Sequence, residues 1–281
     1  MDAVLLFSGQ GAQKVGMGKD LYDQYPVAKA LIEQADKALG ESLSAVMFEG
    51  PGEELTRTCN CQPALYVHGL ACLAVLKELV PSLNPVAAAG LSLGEFTAHA
   101  AAGTYSFEEG LRLVQKRGAF MEEACNATKG TMAAMIGGTD ENVIKLAQEC
   151  DVDVANFNCP GQTVVSGTEE GVAKAVAGAK AAGCKIAKKL NVAGAYHSRL
   201  MHSAMVKLAE ELKNISFGTP SMPVYCNYEA RVVEGPDDIR SMLEHQVCGS
   251  VRWTARSEER RVWTRATAFS LNWGRARRWP A

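Results

Sequence analysis

The pentapeptide Gly90-Leu91-Ser92-Leu93-Gly94 sets one hydroxyl nucleophile between two glycines. It follows the small apolar run Pro85-Val86-Ala87-Ala88-Ala89 and precedes a helix-like stretch, so Ser92 reads as the apex of a tight strand-to-helix elbow. A serine on such a turn has a strained backbone, and a β-carbon at either flanking glycine would collide with the strand or the helix. The chemistry that suits it is acyl transfer through a serine ester. A buried loop serine can carry the same three letters; strand, elbow and helix in that order favour the nucleophile.

A serine hydroxyl is a weak nucleophile at neutral pH and needs a base within hydrogen-bond reach, most often histidine. Five histidines are available. His68 lies in an apolar helical run and reads as a core residue, His99 is two turns along the elbow helix and too far to serve directly, and His245 sits in a polar helix facing water. That leaves His197 and His202. His197 follows the glycine-containing loop Val192-Ala193-Gly194-Ala195-Tyr196 at a strand end, opens a helix carrying Met201 and Met205, and can face the elbow; His202, a turn further on, reads as solvated. An acyl enzyme also needs donors for its oxyanion. The amide of Leu93 supplies one, and the loop Gly9-Gln10-Gly11 after the first strand is the natural second source, although a plain tight turn there suits the fold equally.

These residues must be held by a core, and 281 residues with 47% hydrophobic content suffice for one large domain with a smaller one inserted. A formal charge of −2 gives no global basic field, which excludes nucleic acid as the main partner. The nine cysteines show no paired C-x-x-C spacing and read as reduced thiols in a cytoplasm. Met1 to Phe7 lacks a basic leader and reads as a first buried strand, and the apolar stretch from Pro63 to Leu76 is too short to span a bilayer, so no membrane is expected.

Helical patterns run from Pro26 to Gly40, from Pro63 to Leu79, from Glu95 to Ala102 after the elbow, and from Phe107 to Ala124 with Ser106 as N-cap. Gly11 to Gly16 has phosphate-loop spacing, but Met17 stands where a lysine is required. Between about 130 and 192 the pattern becomes strand 131–136, helix 140–149, strand 152–158, strand 163–167, helix 169–182 and strand 185–191, a βαββαβ order. The fold class expected is therefore α/β, a hydrolase-like core with a mostly parallel sheet plus an inserted ferredoxin-like subdomain. Residues 1–128 and 194–254 would form the core, resuming with a helix from His197 to Leu212, a strand 223–227 and a helix 237–246; residues 129–193 would form the small subdomain.

The last segment breaks with this composition. All four tryptophans fall in it or at its edge (Trp253 just before, then Trp263, Trp273 and Trp279), arginines crowd it, and no lysine follows Lys213. Its period is neither helical nor strand-like, so 255–281 reads as an atypical tail, such as a shifted reading frame would produce from near Arg256, or as a basic arm for an acidic partner.

Five stretches occur in order: Phe7-Ser8-Gly9-Gln10-Gly11-Ala12-Gln13, Gly90-Leu91-Ser92-Leu93-Gly94-Glu95, Arg117-Gly118-Ala119-Phe120-Met121, Asn156-Phe157-Asn158-Cys159-Pro160-Gly161-Gln162 and Tyr196-His197-Ser198. Together they resemble bacterial malonyl-CoA:acyl carrier protein transacylase over roughly residues 1 to 254. The resemblance implies Ser92 as nucleophile, His197 as general base, the amides of Gln10 and Leu93 as oxyanion hole, and Arg117 as the clamp on the malonyl carboxylate, with Met121 one turn on packing near the acyl group. A planar guanidinium does bind a carboxylate bidentately; read alone, however, Arg117 is an ordinary solvated helix arginine. The implied activity moves a malonyl group from malonyl-CoA through an acyl-serine to the phosphopantetheine thiol of acyl carrier protein in fatty-acid biosynthesis, in the cytoplasm, by a monomer with no metal and no bound cofactor. A serine hydrolase or thioesterase, and a crippled variant that only binds the carrier protein, are the alternatives.

Three positions depart from the family. Leu91 replaces the histidine usual before the nucleophile, so chemistry is expected to survive at a lower rate, and Ser8 stands where proline is common. After Trp253 the family's strand, and the loop whose glutamine or asparagine orients the histidine through its carbonyl, are expected to be missing.

Overall fold

The computed structural model describes residues 1–254 and 267–270. Among them are nine strands: β1 (Asp2–Phe7), β2 (Asn84–Gly90), β3 (Gly130–Ile136), β4 (Asp153–Cys159), β5 (Gln162–Thr168), β6 (Ile186–Lys189), β7 (Val224–Tyr225), β8 (Val251–Arg252) and β9 (Thr267–Ser270). Eleven α-helices accompany them: α1 (Lys19–Gln24), α2 (Pro26–Leu39), α3 (Leu43–Glu49), α4 (Gly52–Thr56), α5 (Thr58–Leu79), α6 (Leu93–Ala101), α7 (Phe107–Ala127), α8 (Asp140–Glu149), α9 (Glu169–Gly178), α10 (His202–Lys213) and α11 (Pro236–His245). The fold class is α/β. Contacts divide the chain into two units, one of residues 1–118, 218–224 and 261–281, the other of residues 119–217 and 225–260.

In the first unit, β1 is apolar on both faces, with Ala3, Val4 and Leu5 fully buried, as a strand inside a parallel sheet must be. It pairs in parallel with β2 on one side and with β9 on the other, in the order β7-β2-β1-β9. The small side chains Ala87, Ala88 and Ala89 let helices approach β2 closely. Beside the sheet, α5 is buried around most of its circumference. By length and composition it could cross a membrane, but 78% of its apolar window lies inside the protein, which makes it a core helix.

Several elements differ from the sequence reading. Helix α5 starts at Thr58 rather than Pro63, and carries that proline inside. A proline there costs one helical hydrogen bond, which burial of the whole helix outweighs. The short helices α1, α3 and α4 were not anticipated, because five to seven residues hold too few turns to show a period. Helix α7 begins as expected: Ser106 Oγ accepts from Glu109 N at 3.2 Å while Glu109 Oε2 accepts from Ser106 N at 3.1 Å, a capping box.

In the second unit the sheet is mixed, in the order β6-β3-β5-β4-β8. β3 runs antiparallel to β5 and β6, β5 antiparallel to β4, and β8 parallel to β4. Ala133, Met135 and Val165 from the sheet pack with Val143 and Leu146 of α8 and Val172 and Ala175 of α9. The threonines before α8 and α9, Thr139 and Thr168, accept hydrogen bonds from Asn142 N and Gly171 N. The helix expected from His197 starts only at His202; a 3₁₀ turn, Arg199–Met201, precedes it.

The terminal segment also needs correction. Thr267-Ala268-Phe269-Ser270 is strand-like after all, pairing in parallel with Ala3 to Leu6. A β ladder is made by backbone groups, so an edge strand tolerates a sequence whose composition carries no clear period. The suspected shift in reading frame near Arg256 and the alternative of a basic arm otherwise fall on 255–266 and 271–281, outside the described residues.

Candidate active site

Ser92 occupies the residue between β2 and α6, at φ 52° and ψ −108°. A non-glycine residue at positive φ is strained by about 1–3 kcal/mol and persists only where its surroundings fix it. Here the flanking glycines do so. A β-carbon on Gly90 would lie 1.9 Å from the Gly94 carbonyl carbon, and one on Gly94 would lie 2.3 Å from the Phe7 carbonyl oxygen. The elbow is thus closed against the end of β1. Leu91 N donates to Phe7 O at 3.0 Å, and Gly9 lies so close to the Leu91 carbonyl that its β-carbon would meet that oxygen at 2.4 Å. The Gly9-Gln10-Gly11 loop therefore lies beside the serine turn. The Gly94 and Glu95 amides fold back onto the carbonyls of Leu91 and Ser92, whereas the Leu93 amide is not used in this way.

Arg117 is 1% exposed, which overturns its reading as a solvated helix arginine. Its Nη2 donates to Ser92 Oγ at 3.1 Å and its Nη1 to Gln62 Oε1 at 2.6 Å, while its Cζ lies 5.1 Å from the centroid of the buried Phe96 ring. Burying a guanidinium costs several kcal/mol. The glutamine, the hydroxyl and the aromatic face each offset part of that cost. The arrangement places a fixed cation against the Ser92 hydroxyl oxygen.

In the second unit, His197 is 5% exposed and stands at φ 54°. Its Nδ1 donates to the carbonyl oxygen of Gln246 at 2.8 Å. Because a carbonyl can only accept, the proton of the neutral ring is on Nδ1 and the basic lone pair on Nε2. Gln246 is the C-cap of α11, so the accepting carbonyl belongs to the negative end of a helix. This corrects the expectation that the orienter of the histidine is missing: a glutamine carbonyl performs that task from residue 246, before the atypical segment. Ser198 stabilises the turn by donating to Ala195 O at 2.6 Å and accepting from Leu200 N at 3.2 Å.

The other histidines lie where their surroundings suggested. His68 and His99 are buried, and burial pushes His99 down to about 3; His202 and His245 are exposed. Met121, one turn beyond Arg117 on α7, is 2% exposed. Among the described residues no group of three or more His, Cys, Asp or Glu side chains could hold a metal ion.

Two participants were missed, Gln62 and Gln246. A polar residue immediately before the apolar run that begins at Pro63 was the available signal for Gln62. Gln246 acts through its backbone, which no side-chain pattern reports.

The model of the Acyl transferase domain family matches residues 4–266. The Malonyl CoA-acyl carrier protein transacylase of Bacillus subtilis (strain 168) is 44% identical over 253 residues, 88% of this chain and 79% of the relative. Among solved structures, a malonyl-transacylase in complex with a type II PKS acyl-carrier protein superposes with a TM-score of 0.92 at 36% identity, covering 98% of this chain and 90% of that one. An acyl carrier protein S-malonyltransferase from Vibrio cholerae gives 0.91 at 35% identity, covering 97% and 90%. Matched over nearly its whole length and at this level of identity, the chain belongs to the acyl transferase domain family, among the malonyl CoA-acyl carrier protein transacylases.

Proposed function

We propose that this chain transfers a malonyl group from malonyl-CoA to the phosphopantetheine thiol of an acyl carrier protein through an ester on Ser92. The observation that carries this reading is the buried Arg117 guanidinium 3.1 Å from Ser92 Oγ. A simple acyl chain has no use for a cation there; a malonyl group ends in a carboxylate, which a guanidinium binds with two parallel hydrogen bonds. Family membership supports the same substrate.

In the proposed cycle His197 Nε2 takes the Ser92 hydroxyl proton as Oγ attacks the thioester carbonyl. The oxyanion rests on the amides of Gln10 and Leu93. Collapse breaks the carbon–sulfur bond, and the imidazolium returns its proton to the departing coenzyme A thiolate. The carrier thiol then gives its proton to His197 and attacks the serine ester, and the same imidazolium reprotonates Ser92 as the new thioester forms. The Gln246 carbonyl, at a helix C-terminus, favours the imidazolium that appears in both halves. Water must be excluded between them, since hydrolysis would destroy the ester. Met121 is assigned to the wall beside the acyl group.

The nine cysteines are thiols rather than disulfides, which supports a cytoplasmic setting, and coenzyme A and the carrier protein enter as substrates, with no resident cofactor or metal in the scheme. We treat the protein as a monomer. Residues 1–128 and 194–254 form the proposed catalytic core; 129–193 form a ferredoxin-like subdomain, a division supported by the strand order β6-β3-β5-β4. The test is intact-mass analysis after incubation with malonyl-CoA: one malonyl adduct that disappears in Ser92→Ala and is discharged by phosphopantetheinylated carrier protein. A protein that stays unmodified while hydrolysing the thioester would overturn the reading.

A further inference from the structure

The hydrogen bond between His197 and Gln246 joins segments 49 residues apart in sequence. Within the second unit, one strand holds both. At the start of β4, Asp153 accepts from the backbone N–H of Arg199 at 2.8 Å and from its guanidinium Nε at 3.1 Å and Nη2 at 2.9 Å; Asp151, just ahead, accepts from Nη1 at 2.7 Å. Arg199 is two residues after His197. One residue along β4, the carbonyl of Val154 accepts from Ser250 Oγ at 2.5 Å, and Asn156 and Phe157 pair with Val251 and Arg252 of β8. Ser250 is four residues after Gln246.

Between these two ties lies a cleft of about 540 Å³, lined among others by Asp153, Arg199, His202, Cys248, Gly249 and Ser250. At this edge the polar ties bridge the two segments, alongside the buried apolar residues Ala195, Met201, Val247 and Val251 that flank them. The turn carrying His197 is also strained, at φ 54°, and will relax if released.

We propose that Asp153 is a positioning residue for the His197 imidazole: by holding Arg199 while the next residues of β4 hold Ser250, it sets the span across which Nδ1 meets the Gln246 carbonyl. The inference rests on the reading of His197 as the general base. Arg199 is 58% exposed, so its ion pair with Asp153 contributes little to global stability, and its effect belongs in catalysis.

The experiment compares Asp153→Ala, Asp153→Asn and His197→Ala in malonyl transfer to the carrier protein. Asp153→Ala lowers kcat about ten- to a hundredfold, the loss expected for a reacting group misplaced by about an ångström, while KM for malonyl-CoA changes less than about twofold. The base limb of its pH profile moves to lower pH, because a loosened carbonyl contact no longer favours the imidazolium, and the downfield Nδ1 proton resonance of His197 weakens. Asp153→Asn keeps an oxygen for the Arg199 amide and recovers most of the rate. Should Asp153→Ala fail to fold, Arg199→Met removes the other half of the tie, keeps the aliphatic stem, and must show the same split between kcat and KM. Wild-type kcat, pH limb and resonance in either variant, in a protein where His197→Ala abolishes transfer, overturn the positioning role. If His197→Ala itself retains transfer, the general-base reading falls and the positioning role with it.

Discussion

Arg117 Nη2 and Ser92 Oγ are 3.1 Å apart, although the sequence separates them by 25 residues and the arginine is almost wholly buried. A buried cation is expensive, and a neutral amide, a hydroxyl and a ring face are among its neighbours here. The proposed binding of a substrate carboxylate accounts for a guanidinium held beside Ser92 Oγ.

Arg117→Ala should therefore change specificity rather than abolish chemistry. A charge-assisted hydrogen bond contributes about 1.5–3 kcal/mol, so malonyl loading of Ser92 should fall roughly ten- to a hundredfold in kcat/KM while acetyl loading is unchanged or rises. Arg117→Lys keeps the charge and loses the planar fork, and should recover only part of the loss. Equal losses for both acyl groups would favour a hydrolase in which the arginine is structural.

The Gln246 carbonyl leads to a less intuitive expectation. Because the oxygen that accepts from His197 belongs to the backbone, Gln246→Ala retains it. That variant loses a fully buried polar side chain and about 1–3 kcal/mol of stability, yet kcat should stay within about threefold of the parent. A loss of a hundredfold or more, measured at a temperature where the variant is folded, would show that the side chain rather than the carbonyl matters.

The elbow was legible because its constraint is written in side chains: two glycines, a run of alanines and a helix-forming stretch all follow from one steric requirement. Arg117 was legible only through resemblance, since a single arginine on a helix looks solvated until the fold buries it. Gln62 and Gln246 lie at the limit of such reading. One works because α5 carries it opposite Arg117, the other because α11 ends where its carbonyl can accept, and neither fact has a sequence period. Leu91 shows the converse: the contacts it makes here, its N–H to Phe7 and its carbonyl against Gly9, are backbone that any residue supplies. Short helices and the two-residue strands β7 and β8 escaped for want of length.

Gly94→Ala tests the steric account of the elbow. Its β-carbon would be driven to 2.3 Å from the Phe7 carbonyl oxygen and within 2.9 Å of further backbone atoms at the end of β1, which cannot yield as a flexible side chain would. Stability should drop by about 4 kcal/mol or more, at the exceptional end for single substitutions, or the protein should fail to accumulate in soluble form. Near-parental denaturant midpoints would mean that the strand and the helix are not locked together as described.

Acid should destabilise the protein through its buried histidines. Burial holds His99 down at about 3 and lowers His68 as well. Above the ordinary histidine range both are neutral whether folded or not, and no penalty arises. As pH falls from about 6.5 towards 3 the unfolded chain takes up a proton on His99 that the fold refuses, so stability falls by up to about 1.4 kcal/mol per pH unit. His99→Asn should flatten the dependence of the urea midpoint on pH between about 6 and 4, even if it lowers the midpoint itself. An unchanged slope would show that other groups dominate acid unfolding.

The pairing of β9 with β1 makes the terminal segment testable despite its composition. Val4 and Leu5 are fully buried in a strand with a parallel neighbour on each side; removing one of those neighbours would leave a row of unpaired backbone donors and acceptors on a central strand. A chain ending at Thr254 should therefore melt at a lower temperature than the full chain and aggregate more readily, while still acquiring a malonyl adduct on Ser92 when folded, since both Arg117 and the Gln246 carbonyl precede the cut. A truncated protein with an unchanged melting temperature would show that the β9 ladder contributes nothing to the fold. Loss of the adduct in a truncated protein that remains folded would show that the terminal segment takes part in the chemistry itself.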